Sequence, residues 1–379
     1  MNDTQIARQT TDRLFLIAGH ARRAVASAVL AGTIFGLVAT GRVDAQDPRY
    51  SLANTAVDAQ AQPPVVVEPG YEYGPPETYG YDNYGWGAPP SADCGMGCPP
   101  TWRTRVEALM MNREGDTGAT LSSGIRMSDF DYTEGGRLTI GQKYDCTLGW
   151  EVTYTGIFEW EEGGLANAPG TLNTLLVAGS PAINLSAFNG ANQHQQFHQS
   201  RLQSVEAVQK WWGRDVLTTS AGIRWIHVDE DFDFRSVDAN NVDIGLFTID
   251  TTNNLIGAQL GIDLLYPIDR WSVDSTLKGG LFANIGESNV FLSNAGVVQF
   301  DNSAEDLEFA AMVEYGAYVR YAISPRVNVR AGYEFLWIYG LGIATEQIRN
   351  PIATTTGRSF DGQGDTFYHG GTAGIEFIW

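Results

Sequence analysis

From Leu148 to Trp160 the chain alternates with a period of two: Leu148, Trp150, Val152, Tyr154, Gly156, Phe158 and Trp160 fall on one side, and Gly149, Glu151, Thr153, Thr155 and Glu159 on the other. Successive side chains of a strand point to opposite faces, so this pattern predicts a strand with one apolar and one polar face. The same alternation runs from Trp271 to Ile285 and from Leu307 to Tyr321. In the second of these, Leu307, Phe309, Val313, Tyr315 and Val319 oppose Glu308, Glu314, Gly316 and Arg320. Weaker versions occupy Trp102–Asn112, Gly136–Lys143, Ser200–Trp212, Val216–Val228, Leu255–Tyr266, Arg326–Tyr339 and Thr366–Trp379. Ten strands result. Eight or twelve stay open, because Ser200–Trp212 is irregular and the apolar stretch Leu172–Leu185 is long enough for another hairpin.

The connections separate a soluble sandwich from a membrane barrel. Short links at Tyr144-Asp145, Gly213-Arg214, Pro267–Arg270 and Ile323–Pro325 alternate with long ones at Arg113–Gly135, Glu161–Gln199, Asp229–Asn254, Glu287–Asp306 and Gly340–Asp365. Tight periplasmic turns and long outer loops are the signature of a barrel inserted from the periplasm. Aromatic residues collect at the expected interfaces. Trp102, Trp150, Trp211, Trp212, Tyr266, Trp271, Tyr321, Phe377 and Trp379 fall at periplasmic strand ends, and Trp160, Trp225, Trp337, Tyr339 and Phe367 at outer ends. Beyond the first 45 residues no apolar run reaches the roughly 18 residues of a spanning helix. The fold class expected is therefore all-β, an antiparallel transmembrane barrel from 101 to 379 embedded in outer-membrane lipid.

What precedes the barrel changes the picture in two ways. Arg22 and Arg23 stand before an apolar stretch from Ala24 to Val38, followed by Val43-Asp44-Ala45, the form of a cleavable signal peptide over 1–45. Residues 46–100 are rich in Pro, Gly and Tyr and read as a disordered periplasmic leader. Within it Cys94 and Cys98 form a C-x3-C pair that an oxidising compartment favours as a disulfide, with Cys146 left over as a free thiol or a competitor. The formal charge is -20, and removing a segment with five Arg and three Asp leaves -22 (-20 minus +2). Nucleic acid is excluded as a partner on that ground.

An alternating last strand, Gly374-Ile375-Glu376-Phe377-Ile378-Trp379, ends the sequence on an aromatic residue and resembles the signal read by the barrel insertion machinery, which would make that machinery a partner through Trp379. With Cys94–Cys98, Gly222-Ile223-Arg224-Trp225 and Ala331-Gly332-Tyr333-Glu334-Phe335, the chain resembles the β-barrel porins of family seven, which join a Pro/Tyr/Gly-rich leader to a single barrel. The resemblance implies location and fold, and a porin-like role by shape.

Strand parity places Arg103, Arg105, Glu107, Glu151, Arg224, Asp274, Lys278, Glu314, Arg320, Arg330 and Glu334 on the lumen side, together with Arg137, Asp263, Glu308 and Glu376. In a wide barrel such charges set ion selectivity; in one of ten strands they can pair and brace the wall. Inward glycines, Gly222 and Gly257 among them, would leave space or permit curvature. The expected function is a narrow channel for small solutes or ions, with a non-conducting structural or surface-interaction barrel as the alternative. No cofactor is expected. Catalysis is not expected either: His194, His198, His227 and His369 map to the outer half, yet no Ser is placed by a recognisable motif, and His227 and His369 face headgroups. The acidic run Asp229, Glu230, Asp231 and Asp233 does not match the spacing of a calcium loop and reads as a solvated loop face.

Overall fold

The computed structural model describes residues 100–379 apart from 116–118, 146, 214–215, 239 and 241. The signal peptide, the leader, the Cys94–Cys98 pair and Cys146 lie outside the described residues.

Ten antiparallel strands form one closed barrel: β1 (Thr101–Glu114), β2 (Thr133–Lys143), β3 (Leu148–Asn173), β4 (Asn189–Trp212), β5 (Leu217–Val237), β6 (Asp243–Ile268), β7 (Trp271–Asn294), β8 (Val297–Ser324), β9 (Val327–Leu341) and β10 (Gly364–Ile378). Each strand pairs with its neighbours in sequence, and β10 returns to β1. The seam runs from Arg103 opposite Ile378 to Glu114 opposite Phe367. Reciprocal backbone bonds between Trp102 and Trp379, 2.8 and 3.0 Å long, finish it. Closure leaves no open edge, the condition for spanning lipid with strands.

Around the lower barrel the outward side chains are large, apolar and exposed: Val106, Met110, Ile223, Ile256, Leu260, Ile262, Leu264, Leu277, Leu281, Phe309, Val319 and Ile375. Trp102, Trp211, Tyr266, Trp271, Phe377 and Trp379 are exposed beneath them at the short-turn end. This is a lipid-facing belt with an aromatic girdle.

Four expectations are corrected. First, the strands are much longer than the sequence reading allowed. β8 has 28 residues, about 90 Å of strand at roughly 3.3 Å per residue, whereas crossing lipid takes about 9–11 residues. The segments Glu161–Gln199, Asp229–Asn254 and Glu287–Asp306 are therefore mostly strand that continues beyond the membrane. The β7–β8 connection shrinks to Ala295-Gly296, both with positive φ (53° and 76°), the backbone of a tight two-residue hairpin. Above the belt the polarity of the two faces inverts. On β5, Asp229, Asp231, Asp233 and Arg235 face outward, while Phe232 and Phe234 are buried inside. Phe247, Ile249, Val290 and Leu292 are buried on the neighbouring strands. Water surrounds the barrel there, so the apolar face belongs within.

Second, Trp160 and Phe158 do not face lipid. Ile157, at φ 70° and 73% exposed, is an extra residue in β3, and the register with β4 shifts between Thr155 and Phe158. Such a bulge reverses parity beyond it. Trp160 is consequently 1% exposed. It donates from Nε1 to the Met111 carbonyl at 3.0 Å and stacks on Phe158 at 5.3 Å. Third, Ser200–Trp212 is regular strand, with Trp211 outward and Trp212 buried, and Leu172–Leu185 forms no added barrel strand. Fourth, inward glycines do not open the lumen at Gly222 and Gly257. A Cβ there would lie 2.0 Å from the Ala207 carbonyl oxygen and 2.1 Å from that of Leu281, so backbone of the next strand fills the space.

Candidate functional site

The barrel interior is layered along its axis. At the short-turn end stands a network of ion pairs. The eleven residues Arg103, Arg105, Glu107, Glu151, Arg224, Asp274, Lys278, Glu314, Arg320, Arg330 and Glu334 all point inward, joined by Arg137, Glu206, Lys210, Asp263 and Glu376. Glu376 lies 2.5 Å from Arg103 and 3.4 Å from Arg320. Glu334 accepts two bonds from Arg137, each 2.9 Å, and a third from the Tyr318 hydroxyl at 2.8 Å. Arg224 and Lys278 reach Glu314 at 2.6 and 3.2 Å, and Lys278 reaches Glu206 at 2.7 Å. Lys210 joins Glu151 at 2.8 Å to Asp263 at 2.9 Å.

The network holds eight cations (Arg103, Arg105, Arg137, Lys210, Arg224, Lys278, Arg320, Arg330) and eight carboxylates (Glu107, Glu151, Glu206, Asp263, Asp274, Glu314, Glu334, Glu376), a net charge of zero. Ions out of bulk water demand partners, and shared pairs at hydrogen-bond distance supply them. An open cavity lies among these side chains and reaches Trp212, Thr218, Leu264 and Leu265 at the periplasmic strand ends.

Above the charges lies an apolar layer to which nine of the ten strands contribute: Leu109 and Met111, Phe158 and Trp160, Leu202, Ile226 and Val228, Leu255, Phe282, Ala310 and Met312, Leu336 and Ile338, and Tyr368, with Phe130 and Ile343 from the outer loops. All are buried.

The next layer is polar and enclosed. Arg113 and Glu230 form an ion pair, with His198 Nε2 3.5 Å from the same carboxylate. Glu230 also accepts the Ala344 backbone N–H at 2.9 Å. Asn253 both donates to the Gly342 carbonyl (3.0 Å) and accepts its N–H (2.7 Å), and Asn284 donates to Gly340 at 2.8 Å. The bonds of Glu230 and Asn253 hold the β9–β10 loop inside the barrel, and that of Asn284 reaches the end of β9 itself. Glu230, read from the sequence as solvated, is 1% exposed.

A second apolar cluster closes the outer end. Leu121 and Ile125 of the β1–β2 loop, Leu176, Ile183, Leu185 and Phe188 of the β3–β4 loop, and Ala344 and Ile352 of the β9–β10 loop pack on Phe232, Phe234, Phe247, Ile249, Val290 and Leu292. His194 ties two of the loops, with Nδ1 2.7 Å from Ser122 Oγ and Nε2 3.1 Å from the Phe188 carbonyl. Both side chains are wholly buried, and burial holds the His194 pKa below the ordinary histidine value. His227 pairs with Asp229 at 2.8 Å and His369 with Glu114 at 3.0 Å, both on the outer face.

Sequence reasoning missed Glu206 and Lys210, on a strand judged irregular, and Arg113, assigned to a loop. The inverted alternation Asp231-Phe232-Asp233-Phe234 was the available signal for the upper strands. Among the described residues no cluster of three or more His, Cys, Asp or Glu is arranged to hold a metal ion.

No family model and no curated protein matches the chain. Solved structures similar to it include the outer membrane protease OmpT from Escherichia coli (9% identity, TM-score 0.39, 76% of this chain and 100% of that one). They also include the Ralstonia pickettii toluene transporter TbuX (9%, 0.33, 75% and 90%) and the outer membrane protein OprG from Pseudomonas aeruginosa (8%, 0.23, 75% and 98%). The closed, even-stranded antiparallel barrel with a lipid-facing belt and short turns at one end is itself an outer-membrane architecture, and the chain is an outer-membrane β-barrel.

Proposed function

We propose that this protein is a sealed outer-membrane barrel whose work lies in the rigid portion it raises above the membrane, as a structural or surface-interaction element of the cell envelope. The observation that carries the reading is the apolar layer across the lumen, built from nine strands and two loops. Among the described residues the layer presents water and ions with packed apolar side chains, and breaching it would expose groups each contributing about 1.5–3 kcal/mol by burial. The β9–β10 loop adds a second closure, bound to the wall through Asn253 and Glu230.

A porin-like channel is the second reading, favoured by the charged cavity at the periplasmic end and in keeping with the resemblance to the β-barrel porins. It requires the apolar layer to part. Catalysis has less support, since Ser122 and His194 are enclosed and the half-buried His227–Asp229 pair lies on the outer face, away from the lumen. The test is planar-bilayer conductance of the refolded full chain beside a Trp160→Ala, Phe282→Ala variant. The expected result is a silent wild type and discrete steps from the variant. Regular ion-selective steps from the wild type would sink the sealed-barrel reading in favour of the channel.

A further inference from the structure

The barrel closes only as high as its short strands reach. β1 ends at Glu114, β2 begins at Thr133, β9 ends at Leu341 and β10 begins at Gly364, whereas β3 to β8 continue beyond them. On β3 the pairing with β2 stops at Gly156, opposite Gly136, while the strand itself runs on to Asn173. On β8 the pairing with β9 begins at Ala311, opposite Tyr339, although the strand starts at Val297. Above the membrane the wall is therefore a sheet with two rims, and a rim presents the row of backbone groups that a neighbouring strand would otherwise take.

The two rims differ. On β8 the Leu307 N–H donates to Asp306 Oδ1 at 2.8 Å, and Asn302 donates to the Thr354 and Thr356 carbonyls of the β9–β10 loop at 3.0 and 2.7 Å. On β3 the ladder with β4 is regular from Phe158 to Asn167, and among the described residues no backbone bond reaches this stretch from elsewhere. Thr133 Oγ1 donates to the Glu159 carbonyl at 3.0 Å, so Glu159 turns its backbone to the open side. Successive residues of an antiparallel strand alternate in this respect, and Glu161, Gly163, Leu165 and Asn167 turn theirs the same way. Gly163 has no side chain and is exposed, so backbone itself meets water there. Apolar surface lies beside it: Leu165 is 58% and Phe197 38% exposed, and the Phe197 ring stands 3.8 Å from where a Gly163 Cβ would be.

We infer that the β3 rim from Glu161 to Asn167 is a docking site at the cell surface for an extended segment of a basic partner polypeptide, added as a further strand. Main-chain bonds to Glu161, Gly163, Leu165 and Asn167 hold the segment, and a side chain opposite Gly163 lies on the Phe197 ring. The basic character follows from charge. Glu161 accepts from Gln199 at 2.8 Å and Glu162 from Ser128 at 2.6 Å, neither of them a cation, and the neighbouring Arg201 is committed to Glu159 and Asp231. A second copy of this chain is the poorer occupant, since it would bring an acidic rim of its own, either β3 again or β8 with Asp301, Glu305 and Asp306 exposed. Docking here gives the surface-interaction reading its partner and rests on that reading.

The test is fluorescence anisotropy of a labelled peptide, Lys-Thr-Val-Thr-Val-Thr-Lys, titrated with the refolded full chain in detergent. Its control replaces the three threonines with prolines, which keeps the charge and removes alternate N–H donors. Saturable binding of the first peptide and at least tenfold weaker binding of the control are expected. Gly163→Pro removes an N–H that β4 does not use and should weaken binding at least tenfold, with the folded barrel verified by its heat-dependent gel mobility. Glu161→Lys, expected to weaken it severalfold, carries the test if Gly163→Pro fails to fold. Absence of saturable binding, equal binding of the control, or an affinity unchanged in the folded variants would overturn the assignment. So would a dimer of the chain that Gly163→Pro dissociates, which would give the rim to a second copy. Conductance steps from the wild type would refute the sealed barrel and leave the peptide result standing, whereas failed peptide binding in a silent barrel refutes the docking site alone.

Discussion

Glu230→Leu probes whether the barrel is sealed. Arg113 is 0% and Glu230 1% exposed, with apolar clusters above and below. Removing one partner of a buried ion pair costs about 3–5 kcal/mol, because the other charge is left without compensation. The substitution also strands the Ala344 N–H, which bonds to Glu230 at 2.9 Å, adding about 1–3 kcal/mol. The single variant should therefore lose about 4–8 kcal/mol. In Arg113→Leu, Glu230→Leu the stranded charge is gone, and what remains is the loss common to both variants of the groups that bonded to Glu230, chiefly the Ala344 N–H at about 1–3 kcal/mol, with Ser200 and His198 beside it. The double variant should accordingly be about 3–5 kcal/mol more stable than Glu230→Leu. Equilibrium urea unfolding in lipid vesicles, followed by tryptophan fluorescence, measures the difference. A double variant no more stable than the single one would mean that water reaches Arg113, and the sealed interior would have to be abandoned.

Two further expectations rest on local geometry. Ile157 holds a positive φ of 70° at 73% exposure, a conformation a β-branched residue adopts at a cost of about 1–3 kcal/mol; Ile157→Gly should raise the urea midpoint, while deleting Ile157 should turn Trp160 toward lipid and make its fluorescence quenchable by brominated acyl chains. Burial holds the His194 pKa of the folded chain below the ordinary histidine value. The unfolded imidazole takes up its proton first as pH falls, so its contribution is complete above about pH 6.5 and declines below it by at most about 1.4 kcal/mol per pH unit until the folded pKa is reached. Limited proteolysis between Thr174 and Phe188 should therefore accelerate at pH 5, and a His194→Gln variant should lose that pH dependence.

Strand existence was legible because it depends on nearest neighbours in sequence. All ten strands lie where period-two alternation placed them, from Trp102 to the final aromatic strand. Lumen-facing charges such as Arg103 and Glu314 were legible for the same reason, since parity alone separates the two faces of a strand. Strand ends were not. Asp231-Phe232-Asp233-Phe234 alternates as regularly as Trp271-Ser272-Val273-Asp274, but its apolar face turns inward. A rule written for lipid outside and water inside rejects it. Trp160 misled for a different reason: a single inserted residue at Ile157 reverses every position beyond it, and nothing in the composition marks the insertion.

What the sequence by itself determined was the repeat: ten alternating segments, an aromatic last strand, a charged face and an apolar one, all set by side-chain direction along an extended backbone. Only the tertiary structure decided what each face meets. Closing the sheet put Arg113 beside Glu230, 117 residues apart, and set the outer loops against the inner faces of strands far from them in sequence. It also fixed the level at which lipid gives way to water outside. Above that level the hydrophobic effect draws the aromatic residues inward, and below it the charges turn inward and pair; the alternation is the same in both places, and the solvent outside the wall decides which face is which.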